Sequence, residues 1–372
     1  MEVIAQMYGE GRARIEAGEA FLNPQARFSR DLSVALVSLF AKKSTKILDP
    51  TAATGIRGIR YYLETKSKDI TLLEINRRAS LSARKNIRAN RVNAKVINKS
   101  MQEFANTTKE RFDVIDLDPF GSVAPDLFDV LKISKDGTYL FLTATDMAVL
   151  CGAHEQACLK IYDAKPMHNE LCHEVAARIL IGFAARMASQ FNFGVEAVLS
   201  LSYAHYLRVI LRLRQGADAA KDSIKQLGYA YYCEKCGYRN ASGSTFPSER
   251  DCKLCGYRLL IAGKLWSGQL YDKKMLKRAT AEFRKRKFDE KGLRMLNTIA
   301  AEIDTPLYYS IPKITKKMGL PAISPILVMD SLKQKGIPAS RTHFEKDSIR
   351  TSADITAVKK EISRLTELSN KV

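Results

Sequence analysis

No run of eighteen or more uncharged apolar residues occurs in this chain, which excludes an apolar membrane-spanning helix. Nor does Met1-Glu2-Val3-Ile4 open a basic-then-apolar leader with a small-residue cleavage site, so a cytoplasmic protein with no membrane partner is expected. Acidic residues are also short. Forty Asp and Glu against sixty Lys and Arg leave a net charge of +20, an excess that favours a polyanionic partner through counterion release. At 372 residues the chain exceeds one ordinary core and suggests two or three domains.

A glycine is missing as well. Lys46-Ile47-Leu48-Asp49 reads as a buried strand entering the loop Pro50-Thr51-Ala52-Ala53-Thr54-Gly55-Ile56-Arg57-Gly58 and then a helix. The first glycine of the dinucleotide fingerprint is absent, because Thr51-Ala52-Ala53 stands where a pyrophosphate needs bare backbone, and this disfavours NAD. Gly55 and Gly58 still let backbone amides approach a ligand such as the carboxylate of an amino-acid cofactor. Glu74 ends the next apolar run, Ile70-Thr71-Leu72-Leu73, and is placed to accept hydrogen bonds from ribose hydroxyls. Alone, Glu74 reads more readily as a solvated turn residue; the joint spacing of Asp49, Gly55, Gly58 and Glu74 points to S-adenosylmethionine.

Histidines and cysteines narrow the chemistry further. His173-Glu174 starts like a zinc-protease helix, but Ala177 stands where the second histidine is required. Of seven cysteines, four form Cys233-x-x-Cys236 and Cys252-x-x-Cys255, with Gly237 and Gly256 following each pair, the pattern of a four-thiolate zinc site. A disulfide reading is disfavoured in a chain without an export signal. Cys151, Cys158 and Cys172 lack such pairing and read as small core residues.

Strand-like runs near 46–49, 70–74, 94–98, 112–117 and 138–143, separated by helical stretches, predict a doubly wound, mostly parallel Rossmann-like sheet. The β-prone runs 196–202 and 206–213 predict a closing antiparallel pair. Residues 1–214 thus form one expected domain, 215–268 a zinc-ribbon segment, and 269–372 a basic C-terminal α+β domain. In that last domain a helix at 311–318, a turn, a helix at 324–335 and strands at 340–344 and 348–352 resemble a winged helix.

The strand at 112–117 runs into Asp116-Leu117-Asp118-Pro119-Phe120-Gly121. An exocyclic amine is a poor nucleophile because its lone pair is delocalised into the ring. A carboxylate at Asp118 can accept its N–H and take the proton, the Pro119 carbonyl can accept a second hydrogen bond, and Phe120 can stack on the base. Asp116, on the opposite strand face, reads as structural. Asp118-Pro119 as a mere strand-ending turn is the plainer alternative.

Phe21-Leu22-Asn23-Pro24 with Arg30-Asp31, the segment Ala53 to Arg60, Asp116 to Ser122, Thr143-Ala144-Thr145-Asp146, Cys151-Gly152-Ala153-His154 and Arg341-Thr342-His343-Phe344 together resemble the archaeal and eukaryotic tRNA guanine-26 N2-dimethyltransferases. The resemblance implies a class I methyltransferase domain, a family-specific C-terminal domain, S-adenosylmethionine as methyl donor and tRNA as partner; a monomer is the working expectation, although the sequence does not give the oligomeric state. By motif position, Phe21, Arg30, Thr54 and Arg57 would contact the cofactor, Glu74 its ribose, Asp118 would be the acid/base, and Phe120 would hold the guanine. Family members often carry an acid after the third strand; Asn98-Lys99-Ser100-Met101-Gln102 has none, and Ser100 or Gln102 would substitute. The rival readings are an amino-methyltransferase on another RNA guanine or adenine, and a non-catalytic zinc-ribbon nucleic-acid-binding protein.

Overall fold

A computed structural model of the protein describes residues 7–369; Met1-Glu2-Val3-Ile4, on which the leader expectation rests, lies outside them. The chain opens with an antiparallel hairpin, β1 (Met7–Glu10) and β2 (Ala13–Glu16), absent from the sequence expectation, followed by helix α1 (Arg27–Ser38). Alternating elements then follow: β3 (Lys46–Asp49), α2 (Ile56–Glu64), β4 (Asp69–Leu73), α3 (Arg77–Ala89), β5 (Lys95–Ile97), α4 (Met101–Thr107), β6 (Val114–Leu117), α5 (Ala124–Lys132) and β7 (Tyr139–Ala144). Helices α6 (Met147–Leu150), α7 (Glu155–Tyr162) and α8 (Cys172–Ser189) lead to the hairpin β8 (Phe193–Tyr203) and β9 (Tyr206–Gln215).

The seven strands order as β5-β4-β3-β6-β7-β9-β8, parallel except for β9 and β8. The central strands are buried on both faces, which is why they read as continuous apolar runs rather than alternating ones. No helix among the described residues is long and apolar enough to cross a membrane.

Helix α9 (Ala217–Lys225) packs back on β8, and the chain then enters a three-stranded antiparallel sheet, β10 (Leu227–Tyr232), β11 (Arg239–Gly243) and β12 (Leu260–Trp266). This sheet separates two cores. Ala230, Tyr232 and Ala262 face the large core of the central sheet, whereas Tyr231 joins Cys233, Tyr238, Cys252 and Leu259 in a second core. Successive residues of a strand point to opposite faces, so β10 serves both. A register shift between Gly228 and Tyr229 turns Leu227 to the large core as well.

The basic stretch 273–294 is not one helix. It breaks at Lys287, whose φ is +53, into α10 (Lys273–Lys285) and α11 (Glu290–Ala301), the latter capped by the Asp289 carboxylate accepting from Gly292 N–H at 2.7 Å. Its apolar side, with Leu276, Ala279 and Phe283, is buried in the large core against α1. Beyond it come β13 (Tyr309–Ser310), α12 (Ile311–Met318), α13 (Pro325–Gln334), β14 (Ala339–Arg341), β15 (Ser348–Thr351) and α14 (Ile355–Ser369). Gly319, at φ +67, ends α12 in the left-handed conformation that favours glycine. Strands β14 and β15 pair antiparallel as expected, and β13 joins them at the other edge of β15. Ile311, Ile314, Val328, Leu332 and Ile349 complete the second core, so the four-cysteine segment and the C-terminal module share one interior.

Candidate active site

The carboxyl ends of β3, β4, β5, β6 and β7 open on one cavity of about 620 Å³. Parallel strands bring residues distant in sequence to one rim: Asp49 after β3, Glu74 after β4, Ser100 after β5 and Asp118 after β6. Phe21, Arg30, Thr54, Arg57, Pro119 and Phe120 line it too. Of the expected cofactor residues, Gly55, Gly58 and Gln102, the alternative to Ser100, are missing from the wall. Gly55, at φ +79, makes the turn into α2, and a Cβ on Gly58 would stand 2.9 Å from the Leu72 side chain, so both serve backbone shape and close helix–strand packing.

Beneath the cavity lies a buried charge cluster. Asp116 is fully buried and is bound by Arg57 Nη1 at 3.0 Å, Arg208 Nη2 at 2.7 Å and the Tyr61 hydroxyl at 2.5 Å. Burial alone would raise its pKa, but Arg208 and Arg57 outweigh burial and hold the carboxyl below its usual range. The expectation set Asp116 on the opposite strand face, but residues two apart share a face, and one guanidinium reaches both acids: Arg57 holds buried Asp116 through Nη1 and donates from Nη2 to Asp118. Asp118 is also fixed from its backbone side, where its N–H donates to Thr51 Oγ1 at 3.2 Å. Arg57 is thereby a clamp on Asp118 as well as part of the wall.

Asp49 is buried, and its Oδ2 lacks a hydrogen-bond partner. Burial pushes its pKa up to about 7, reinforced by Asp116 and Asp118 and opposed by Arg57. Glu74 accepts from Ala53 N–H and from Asn76 N–H, each at 2.8 Å, so this acid braces the loop whose Ala53 sits at φ +44. Arg30 is held by Glu10 of the N-terminal hairpin through Nε at 2.7 Å and Nη2 at 2.5 Å, and by the Asn23 carbonyl at 3.0 Å. Ser100 caps α4 in a capping box with Glu103, accepting from Glu103 N–H at 3.1 Å. Met101 lines the cavity beside it, whereas Gln102 does not. At the mouth Phe120 and Phe21 are exposed (76% and 54%) and meet edge to face with centroids 4.6 Å apart.

Tyr206, Thr143 and Thr145 were not singled out as site residues, and they too line the cavity. Tyr206 and Arg208 sit two apart at the start of β9, which also carries Arg212, Arg214 and Gln215; the two-residue spacing puts both side chains on one face and was a readable signal. Glu10 had none, since the hairpin carrying it has no distinctive pattern. Asp146 stands outside the cavity wall and accepts from the Tyr162 hydroxyl at 2.8 Å.

The two cysteine pairs converge. All four sulfurs lie within 4.8 Å of one another, with Cys233–Cys255 and Cys236–Cys252 both at 3.5 Å. A tetrahedral zinc with Zn–S of about 2.3 Å spaces its sulfurs about 3.8 Å apart, so the four-thiol set fits such an ion. The two knuckles match: Gly237 N–H and Gly256 N–H, both residues at positive φ, donate to the Cys233 and Cys252 carbonyls, and Cys233 and Cys252 N–H donate to the Tyr238 and Tyr257 carbonyls.

A doubly wound, mostly parallel sheet closed by an antiparallel hairpin, with its cavity over the carboxyl ends of the strands, defines an α/β enzyme of the methyltransferase class. Residues 7–363 match the family model described as N2,N2-dimethylguanosine tRNA methyltransferase, and the chain belongs to that family. It is 32% identical to the tRNA (guanine(26)-N(2))-dimethyltransferase of Methanothermobacter thermautotrophicus, over 93% of each chain, and 35% identical to that of Pyrococcus furiosus, over 92% of this chain and 94% of the relative. The structure of Trm1 from Pyrococcus horikoshii, solved with S-adenosyl-L-methionine, superposes with a TM-score of 0.87 at 30% identity, covering 96% of this chain and 99% of that one.

Proposed function

We propose that the protein transfers two methyl groups in succession from S-adenosylmethionine to the exocyclic N2 of guanosine 26 in tRNA. The observation that carries this reading is Asp118, clamped by Arg57 at the end of β6, with the exposed Phe120 two residues on at the mouth of the cavity. When bound, the cofactor supplies an electrophilic methyl on a sulfonium. Asp49, Thr54, Arg30, Arg57 and Glu74 would hold it, with Gly55 and Gly58 shaping the loop and Ser100 at the edge of the wall. Asp118 would accept the amine N–H and take its proton, the Pro119 carbonyl would accept the second, and Phe120 would stack on the extruded base, with Phe21 beside it. Alignment of nitrogen and methyl by the wall would supply much of the remaining rate.

Residues 1–214 would then carry the chemistry, the four cysteines in 215–268 would bind one zinc ion as a ribbon, and 269–372, with its winged-helix-like part, would meet tRNA by backbone and shape. The zinc reading predicts one ion per chain, lost on Cys236→Ser; unchanged metal content by elemental analysis would refute it.

The test of function is incubation with unmodified tRNA transcript and methyl-labelled S-adenosylmethionine, followed by nucleoside analysis. N2,N2-dimethylguanosine that vanishes when guanosine 26 is replaced is the expected outcome. Absence of any methylated guanosine, with cofactor still bound, would overturn the reading.

A further inference from the structure

A second concave site, sharing no residue with the cavity above, lies where the four-cysteine segment meets the C-terminal module. Arg239, at the start of β11, lies over the Tyr309 ring, and its Nη1 is buried without a hydrogen-bond partner. Lys313 and Lys317, one turn apart on α12, and Lys359 on α14 also line the site. Two negative groups border it. Glu170 is occupied on both oxygens, by the Tyr232 hydroxyl at 2.6 Å and by Lys313 Nζ at 3.0 Å. Cys236 would belong to a zinc tetrathiolate of about two negative charges, which with Glu170 still leaves the four cations in excess.

Lys317 Nζ donates to the Glu234 carbonyl and, at 3.4 Å, meets the Tyr232 hydroxyl. The N-terminus of α12 adds partial positive charge, since its cap residue Ser310 makes no side-chain cap bond. Burial lowers the Arg239 guanidinium to about 9, opposed in part by Tyr309 and Glu174. A buried charge of that kind is costly unless a ligand supplies its partner. The space is about 20 Å³, room for one or two oxygen atoms and far too little for a base.

We propose that this site seats one phosphodiester of the tRNA backbone, with Lys317 and Lys359 meeting its non-bridging oxygens and the Arg239 guanidinium supplying positive charge from beneath. It rests on tRNA being the substrate, and would fix the RNA at a point remote in sequence from the catalytic loops.

The test measures tRNA affinity of the full chain by fluorescence anisotropy across a potassium chloride series, for wild type, Lys359→Gln, Lys359→Arg and Arg239→Gln. Lys359→Gln should raise Kd about three- to tenfold and flatten the slope of log affinity against log salt by about 1, and Arg239→Gln should do the same or more. Lys359→Arg, which keeps the charge, should retain the wild-type slope, and this separates the proposed contact from loss of folding. Wild-type Kd and slope in Lys359→Gln and Arg239→Gln, with wild type still binding and methylating tRNA, overturns the site alone. If wild type neither binds nor methylates tRNA, the functional reading falls and the site with it. A millimolar inorganic phosphate titration at constant ionic strength forms the second arm. Competition with tRNA in wild type that is lost in Lys359→Gln supports the site; phosphate binding with equal tRNA slopes in all variants marks a free-anion pocket and overturns it.

Discussion

Two buried clusters in this molecule set arginines against carboxylates, to opposite effect. One joins α8 to the C-terminal module: Glu174 receives Arg178 at 2.8 Å and Arg350 at 2.8 Å, while Glu302 receives Arg350 at 2.7 Å and His343 Nδ1 at 2.6 Å. There cations match carboxylates, and against burial His343 and Arg350 hold Glu302 down at about 2. The other, beneath the cavity, sets Arg57 and Arg208 against Asp49, Asp116 and Asp118. One acid too many leaves Asp49 raised to about 7 and partnerless at Oδ2. A matched cluster closes a seam; an acid-rich one bordering a cavity leaves a carboxylate facing it without a counter-charge. On the proposed function, the sulfonium and ammonium of S-adenosylmethionine would supply that charge.

The contrast can be broken most strongly at Asp118. Asp118→Ala is expected to lower methyl transfer about 10²–10⁴-fold while calorimetry still records cofactor binding, and unaltered turnover would sink its role as base. At the seam, Glu302→Gln leaves Arg350 and His343 short of a counter-charge and should cost about 3–5 kcal/mol in denaturant unfolding, with cofactor affinity of the folded protein unchanged. Its sign with pH follows from the depressed pKa. Glu302 stabilises the fold above the ordinary carboxylate range, near 4.5, and that contribution is lost as pH falls from there toward 2. Wild type should therefore lose stability over that window more steeply than Glu302→Gln.

Asp49 runs the other way. Its contribution is full below about pH 4 and is lost as pH rises through 7, because the fold disfavours its ionised form. A bound cation favours that ionised form, so cofactor binding should release a proton and tighten from pH 6 to 8, by at most about tenfold per unit below pH 7. Calorimetry in buffers of different ionisation enthalpy reads the released proton; the same release in Asp49→Asn would assign it to another group. The smallest effect expected is on stability: Asp49→Asn should melt higher than wild type at pH 8 and close to it at pH 4, by about 1–2 °C per kcal/mol regained.

The sheet was legible because strands buried on both faces leave uninterrupted apolar runs, and the β3 run at 46–49 matches to the residue. The basic stretch after Gly268 was not, because its charges advertise a solvated face while Leu276, Ala279 and Phe283, the residues that bury it, are spread among them. The convergence of the four cysteines was readable from spacing alone, since each Cys-x-x-Cys-Gly turn closes on its own backbone hydrogen bonds within a few residues. Their place in a core shared with the C-terminal module was not, because it depends on which face of β10 each tyrosine takes.

By itself, then, the sequence determined the chemistry at each strand end: an acid and a glycine loop after β3, an acid after β4, and Asp118-Pro119-Phe120 after β6, all local patterns within a few residues. The tertiary structure alone decided how those ends are joined. Arg57, Arg208 and Tyr61 meet on Asp116, and Glu10 on Arg30, through contacts spanning 20 to 92 residues. Whether Asp49 is charged depends on the sum of burial and neighbours at that point in space, and no local pattern of residues encodes that sum.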